Sequence, residues 1–155
     1  MASEQTPVRE DDALALERQV CFALSVASRS VVAAYRPVLE PLGLSHPQYL
    51  VMLALWGSRP LSLRQLSEQL RLEPATLSPL VRRLEAAGLV ARSRRAGDER
   101  TLDITLTEEG VSLRERAIDV PGTMAQRLGI DLSELEELHR LMTRVIDAAD
   151  RAAHA

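Results

Sequence analysis

The stretch from Ser62 to Leu106 constrains the fold more than any other part of the chain. Leu63, Leu66 and Leu70 recur at intervals of three and four, which puts them on one face of a helix, and Ser62 and Gln65 stand at capping-box spacing at its start. That apolar face needs a partner, and Leu77, Leu80, Val81 and Leu84 supply one on a second helix closed by Gly88. Beyond it Leu89 and Val90 have strand character, and Leu102, Ile104 and Leu106 alternate with Thr101, Asp103 and Thr105. A loop between these runs holds Arg92, Arg94, Arg95 and Arg100 around Ala96-Gly97-Asp98. Two short helices, a tight turn and an arginine-tipped hairpin together predict a winged helix-turn-helix.

The side chains left over by that packing have a chemistry of their own. Thr76, Ser78, Arg82 and Arg83 point away from the apolar face of the second helix, where they suit phosphates and base edges in a major groove. Arg92, Arg94, Arg95 and Arg100 around the hairpin tip suit a minor groove or the DNA backbone. Duplex DNA is therefore the expected partner. A helix pair with a hairpin also serves as a protein-interaction module, and it is the agreement of turn, caps, apolar registers and charge that favours DNA. Pro79 leaves two starts open for the second helix: at Pro74, forgoing one backbone bond, or at Ser78 as cap with Pro79 first.

The net charge of −3 fits a DNA reader only once it is divided along the chain. Residues 59–100 carry nine Arg against five acids, +4, and the remainder ten Arg against seventeen acids, −7. A local positive face is all that phosphate contact requires. All nineteen basic residues are Arg. At 155 residues the chain suits one domain, or one domain with helical extensions. No apolar run is long enough to span a membrane and no charged-then-apolar leader opens the sequence, so a cytoplasmic protein without a membrane partner is expected. The one cysteine, Cys21, has no internal disulfide partner, and His46, His139 and His154 are scattered, so neither a metal nor a cofactor is expected.

The expected fold class is mainly α with a small β wing: two helices, a strand, the helix pair, strand, wing and strand, then two more helices. Residues 1–10 read as a flexible arm. The first helix is expected to start near Asp11 or Asp12 and to run to about Tyr35, where Pro37 and Pro41 oppose it, placing Cys21 well inside. Its apolar residues, Phe22 and Leu24 among them, face more than one side, as in a helix packed on both its own subunit and a partner. A second helix with Pro47 near its start carries Tyr49 to Trp56, and Leu61 to Leu63 offer a short third strand. After the wing, Thr107 caps a helix through Val120 that Pro121-Gly122 interrupts or kinks, and Asp131 with Glu134 opens the last. Residues 47–106 thus form the winged domain, and 11–46 with 107–155 a helical dimerisation region. Self-association is expected because a reader of this type presents two recognition helices about 34 Å apart to a pseudo-palindromic operator.

Along nearly its whole length the chain resembles the MarR family of dimeric winged-helix repressors. Asp98-Glu99-Arg100 followed by LDITLTEEG matches that family's wing, where the aspartate braces an arginine entering the minor groove; Asp98 and Arg100 take those roles by position. A closer resemblance is to the OhrR subgroup of organic-hydroperoxide sensors, in its one-cysteine type. It rests on Cys21-Phe22-Ala23-Leu24, Tyr35-Arg36-Pro37, Pro47-Gln48-Tyr49-Leu50 and TLSPLVRRLEAAGLV. The resemblance implies that Cys21 is the sensor, with Tyr35 as a neighbour, and it favours the longer second helix. Ser25 and His46 stand where the subgroup has tyrosines, and Leu72-Glu73-Pro74-Ala75 replaces its usual Leu-Asp-Ser-Gly, which bears on peroxide preference and operator sequence.

Helix geometry adds a constraint on this site. Cys21 and Tyr35 share a helix face but lie roughly 21 Å apart along one straight helix. Tyr35 of one subunit can approach Cys21 of another if the two first helices cross antiparallel. A free thiol is mostly protonated at neutral pH, so sensing needs hydrogen bonds or positive charge nearby, for which Tyr35, His46 and Arg36 are the candidates. The bland alternative is a buried cysteine acting as a small hydrophobe. The expectation is a homodimeric repressor, not an enzyme, released when organic hydroperoxide oxidises Cys21. One rival replaces oxidation by reversible binding of a phenolic or other apolar small ligand. The other, a thiol enzyme using Cys21 and His46, lacks a third orienting group at recognisable spacing.

Overall fold

A computed structural model describes residues 13–155. The expected arm over residues 1–10 and the expected helix start at Asp11 or Asp12 lie outside the described residues. Ten elements follow: α1 (Val20–Leu39), α2 (His46–Gly57), β1 (Leu61–Ser62), α3 (Leu63–Leu70), α4 (Pro74–Ala86), β2 (Val90–Arg95), β3 (Asp98–Leu106), α5 (Glu108–Ala117), α6 (Val120–Leu128) and α7 (Leu132–Ala153), with 3-10 turns at Leu16–Arg18 and Glu40–Leu42. The class is the expected one, mainly helical with a small antiparallel sheet in the order β1-β3-β2.

Local chemistry explains the helix-turn-helix. Ser62 accepts the Gln65 N–H while the Gln65 side chain takes the Ser62 N–H, so both halves of the capping box form and α3 begins at once after β1. Leu66 on α3 and Leu77, Leu80, Val81 and Leu84 on α4 close over Val51, Met52 and Leu55 of α2 and Ile104 of β3. α4 takes the longer form, with Pro74 in its first turn and Pro79 inside.

The sequence expectation needs correction in four places. First, α1 does not include residues 13–19. It begins at Val20, because Gln19 is extended and turns its side chain back to the Ala13 and Ala15 carbonyls, capping a separate turn. Cys21 is therefore in the first turn, not well inside. Second, α1 continues through Pro37 to Leu39, a residue with no exposed surface, whose burial offsets the one backbone bond a proline removes. Third, the helix after the wing breaks at Ile118-Asp119, ahead of Pro121, which lies in the first turn of a distinct α6, so the described residues form seven α-helices where six were expected. Fourth, the arginine-rich loop is strand almost to its tip. Ala96 and Gly97 alone join β2 to β3, Gly97 having φ +80°, with a register shift at Arg94/Arg95.

α5 is welded to the end of α4. The Thr107 hydroxyl donates to the Gly88 carbonyl at 2.6 Å and accepts the Gly110 N–H at 3.1 Å, while the Trp56 indole donates to the Gly110 carbonyl at 2.9 Å. α1 packs on α6, and the core runs without a break from the helix pair into Leu39, Leu113, Val120 and Met124. α7 buries none of its residues. Among the described residues no helix is long and apolar enough to cross a membrane.

Candidate nucleic-acid interface and thiol site

α4 projects Thr76, Arg82 and Arg83 outward, all exposed, with Ser78 half-buried between them and the core. The wing arginines divide into two groups. Arg95 is not an open probe: it grips Asp103 at 2.8 and 3.2 Å, a carboxylate almost wholly covered, and the pairing holds the guanidinium more firmly protonated still. Arg92 pairs with Glu85 of α4 at 2.7 Å, and Arg94 donates to the Glu99 carbonyl. The Arg100 side chain makes no hydrogen bond or ion pair to any other described residue and stands exposed.

Asp98 braces Arg100 through its backbone. Its carboxylate accepts the Arg100 N–H at 3.0 Å and the Thr101 hydroxyl, fixing the irregular start of β3. The Thr101 hydroxyl foremost, then the Arg100 N–H, holds the Asp98 carboxyl below the usual carboxylate range, and the hydrogen bond from Arg92 does the same for Glu85. Both carboxyls are stabilised as anions, so these contacts persist at neutral pH and are lost only as pH falls through those depressed values.

The thiol site is split. Cys21 is exposed in the first turn of α1, where a helix end favours negative charge. Tyr35 lies near the other end of α1, its ring 4.8 Å from His46 and 5.9 Å from Tyr49. Burial pushes His46 below the ordinary histidine value, so its imidazole is neutral at pH 7 and offers a hydrogen bond rather than a charge. Burial first, then the nearby Tyr35, raises the Tyr49 phenol. Within one chain the structure brings Tyr35 and His46 together and leaves Cys21 apart.

The profile of the MarR family matches residues 44–102. The organic hydroperoxide resistance transcriptional regulator of Bacillus subtilis (strain 168) is 41% identical over 128 residues, spanning 81% of this chain and 87% of its own length. The chain belongs to the MarR family. Among solved structures, reduced AbfR bound to DNA superposes with a TM-score of 0.79 at 31% identity, covering 88% of this chain and 94% of that one; AbfR is a protein of Staphylococcus epidermidis. CouR from Rhodococcus jostii RHA1 bound to p-coumaroyl-CoA has a TM-score of 0.74 at 26% identity, covering 86% and 95%. The relatives are transcriptional regulators rather than enzymes, and this chain is a MarR-family DNA-binding transcriptional regulator.

Three contacts of this MarR chain were not anticipated from sequence. Tyr49 stands three residues from His46 on α2, a spacing that marks a shared helix face. Asp103 faces Ser93 across the sheet, two residues from Arg95, so its pairing follows once the strand register is known. The Glu85 to Arg92 bridge between α4 and β2 has no local signal.

Arg100→Ala is expected to weaken operator binding by about 10- to 100-fold, the scale of a lost base contact. Asp98→Ala should fall short of that, because the guanidinium survives and only its backbone brace is removed. Titration of a labelled operator by fluorescence anisotropy checks both, and equal affinities for parent and Arg100→Ala would remove the wing from the interface.

Proposed function

We propose that the chain is a cytoplasmic homodimeric repressor that holds a pseudo-palindromic operator and lets go when organic hydroperoxide oxidises Cys21. The observation that carries this reading is the division of the thiol site. Cys21 is exposed at one end of α1 and the Tyr35–His46 pair sits toward the other, so a second chain crossing antiparallel would complete the site. Exposed apolar side chains support the pairing: Phe22 is 42% exposed on α1, and Leu138, Val145 and Ile146 on α7 are 41–47% exposed. In this reading residues 47–106 are the reading domain, with 11–46 and 107–155 as the dimerisation region. Thr76, Ser78, Arg82 and Arg83 enter a major groove, Arg100 probes the minor groove beside it, and Arg94 and Arg95 shape the wing that carries it.

The chemistry begins with attack of the Cys21 thiolate on a peroxide oxygen. The O–O bond breaks, the alkoxide leaves and takes a proton from water to become an alcohol, and the sulfur is oxidised by two electrons to a sulfenic acid. A small cellular thiol then condenses with it, giving a mixed disulfide and water, since Cys21 is the chain's one cysteine. The added bulk acts where two first helices cross. Tyr35 supplies a hydroxyl to the thiolate and neutral His46 positions that phenol.

A second reading has its own observation. A cavity of about 320 Å³ opens between α2 and the α5–α6 junction, lined by Tyr49, Leu53, Trp56, Arg114, Ile118 and Pro121, and it suits a small apolar or phenolic effector. The acyl-CoA-bound relative adds weight to it. The two readings part in one experiment: bind the protein to DNA from upstream of its own coding sequence, then add cumene hydroperoxide, followed by dithiothreitol. Oxidation predicts loss of the complex and its return with the reductant. Release by a phenolic compound with hydroperoxide inert would favour the cavity. Sedimentation at micromolar concentration should give a dimer, and a monomer that still bound a palindrome tightly would count against the interface.

A further inference from the structure

Arg71 closes α3 with φ 53°, the one non-glycine residue at positive φ among the described residues, and the turn into α4 starts from it. Its guanidinium reaches Asp150 near the far end of α7, with Nη1 2.9 and 3.1 Å from the two carboxylate oxygens. The contact joins the pivot of the helix-turn-helix to the helix that carries the exposed apolar stripe. Because α7 buries none of its residues within the chain, little packing competes with this ion pair in setting where the end of α7 lies.

We propose that Arg71 and Asp150 are positioning residues that set the separation of the two recognition helices, and so make the protein select operators by half-site spacing. The inference rests on the dimer reading given above. α4 begins at Pro74, three residues beyond Arg71, and is locked to α3 through the core contacts of Leu66 and Leu77, so the turn and the recognition helix move as one body. In a dimer whose subunits meet along α7, the place where that turn meets α7 fixes each recognition helix relative to the two-fold axis. Helical repeat makes spacing a strict coordinate on DNA: a base pair added between half-sites both lengthens and rotates one site relative to the other. A half-exposed ion pair contributes little to fold stability, yet it can narrow the range of angles the two units sample.

The test uses the full chain and a set of operators differing by single base pairs between half-sites. Parent, Arg71→Gln, Asp150→Asn and the exchange Arg71→Asp with Asp150→Arg are compared, with sedimentation and thermal melting run on each. The expected result is a sharp optimum for the parent. Either single variant should flatten it, losing no more than about fivefold at the best spacing. The single variants should remain dimers with parental melting, and the exchange should restore the optimum. An unchanged spacing profile in dimeric single variants overturns the inference and leaves the dimer standing. Weakening by Arg71→Gln alone, equal at every spacing and not rescued by the exchange, makes Arg71 a phosphate contact and also overturns it. A monomeric parent removes the dimer reading and the inference together.

Discussion

Cys21→Ser is expected to bind operator as the parent does and to be insensitive to organic hydroperoxide. Cys21 is exposed in the first turn of α1, so the change opens no cavity and removes no packing within the chain, and serine is at ease at the start of a helix. What disappears is the sulfur, and with it the only route in this chain from peroxide to a sulfenic acid and on to a mixed disulfide. Tyr35→Phe should give an intermediate result, slower release with the same end point, because it removes a phenol that can hydrogen-bond the thiolate and leaves the ring tilted against His46. Anisotropy of a labelled operator after a brief cumene hydroperoxide pulse reads release, and mass spectrometry of the parent reads the adduct on Cys21. Should the serine variant be released as readily as the parent, the thiol is not the sensor and the cavity beside Trp56 becomes the place to look.

Gly110→Ala is expected to destabilise the fold by about 3 kcal/mol or more, against the general rule that alanine improves a helix. A Cβ built on Gly110 falls 2.1 Å from the Leu89 carbonyl oxygen and 3.1 Å from its carbon, and both belong to backbone that cannot swing aside as a side chain would. Leu89 is held in that place, since its carbonyl accepts the Thr107 N–H at 3.1 Å and the neighbouring Gly88 carbonyl accepts the Thr107 hydroxyl. Relief therefore requires α5 to lift from the end of α4, which strains the Trp56 bond to the Gly110 carbonyl as well. For a chain of this size the melting temperature should drop by about 10 °C. A melting temperature equal to or above the parent's would mean that α5 slides freely at this junction.

The parts of the fold that could be read from sequence are those with local causes. Leu63, Leu66 and Leu70 reveal a helix by spacing, and the Ser62 and Gln65 cap reveals where it starts. The start of α1 is not legible because its N-cap, Gln19, makes no side-chain capping bond, so no residue type at that position signals a helix start. Pro121 marked the break after α5 one turn late, since proline tolerates the first turn of the new helix as readily as it ends an old one. At the reading surface the residue types were evident and their division of labour was not. Which arginine is open depends on carboxylates brought in from elsewhere, Glu85 from α4 and Asp103 from across the sheet, and such pairings follow from register rather than composition. The separation of Cys21 from Tyr35 was legible because helix rise alone imposes it.

The neutralisation of two of the four wing arginines by carboxylates of their own chain also bears on how tightly such a protein can hold DNA in general. Affinity for a polyanion comes largely from the entropy of counterions freed when protein cations replace them, and a guanidinium already matched by a carboxylate frees few. Arg92 and Arg95 are matched in this way, leaving Arg82, Arg83, Arg94 and Arg100 as the cations of α4 and the wing without a carboxylate partner among the described residues, Arg94 meeting only the neutral Glu99 carbonyl. With two chains on an operator, the logarithm of affinity should fall against the logarithm of salt with a slope of about −7, against about −11 were Arg92 and Arg95 open as well. Such a regulator would linger little on arbitrary DNA and be found chiefly at sites whose base edges and groove shape it can recognise.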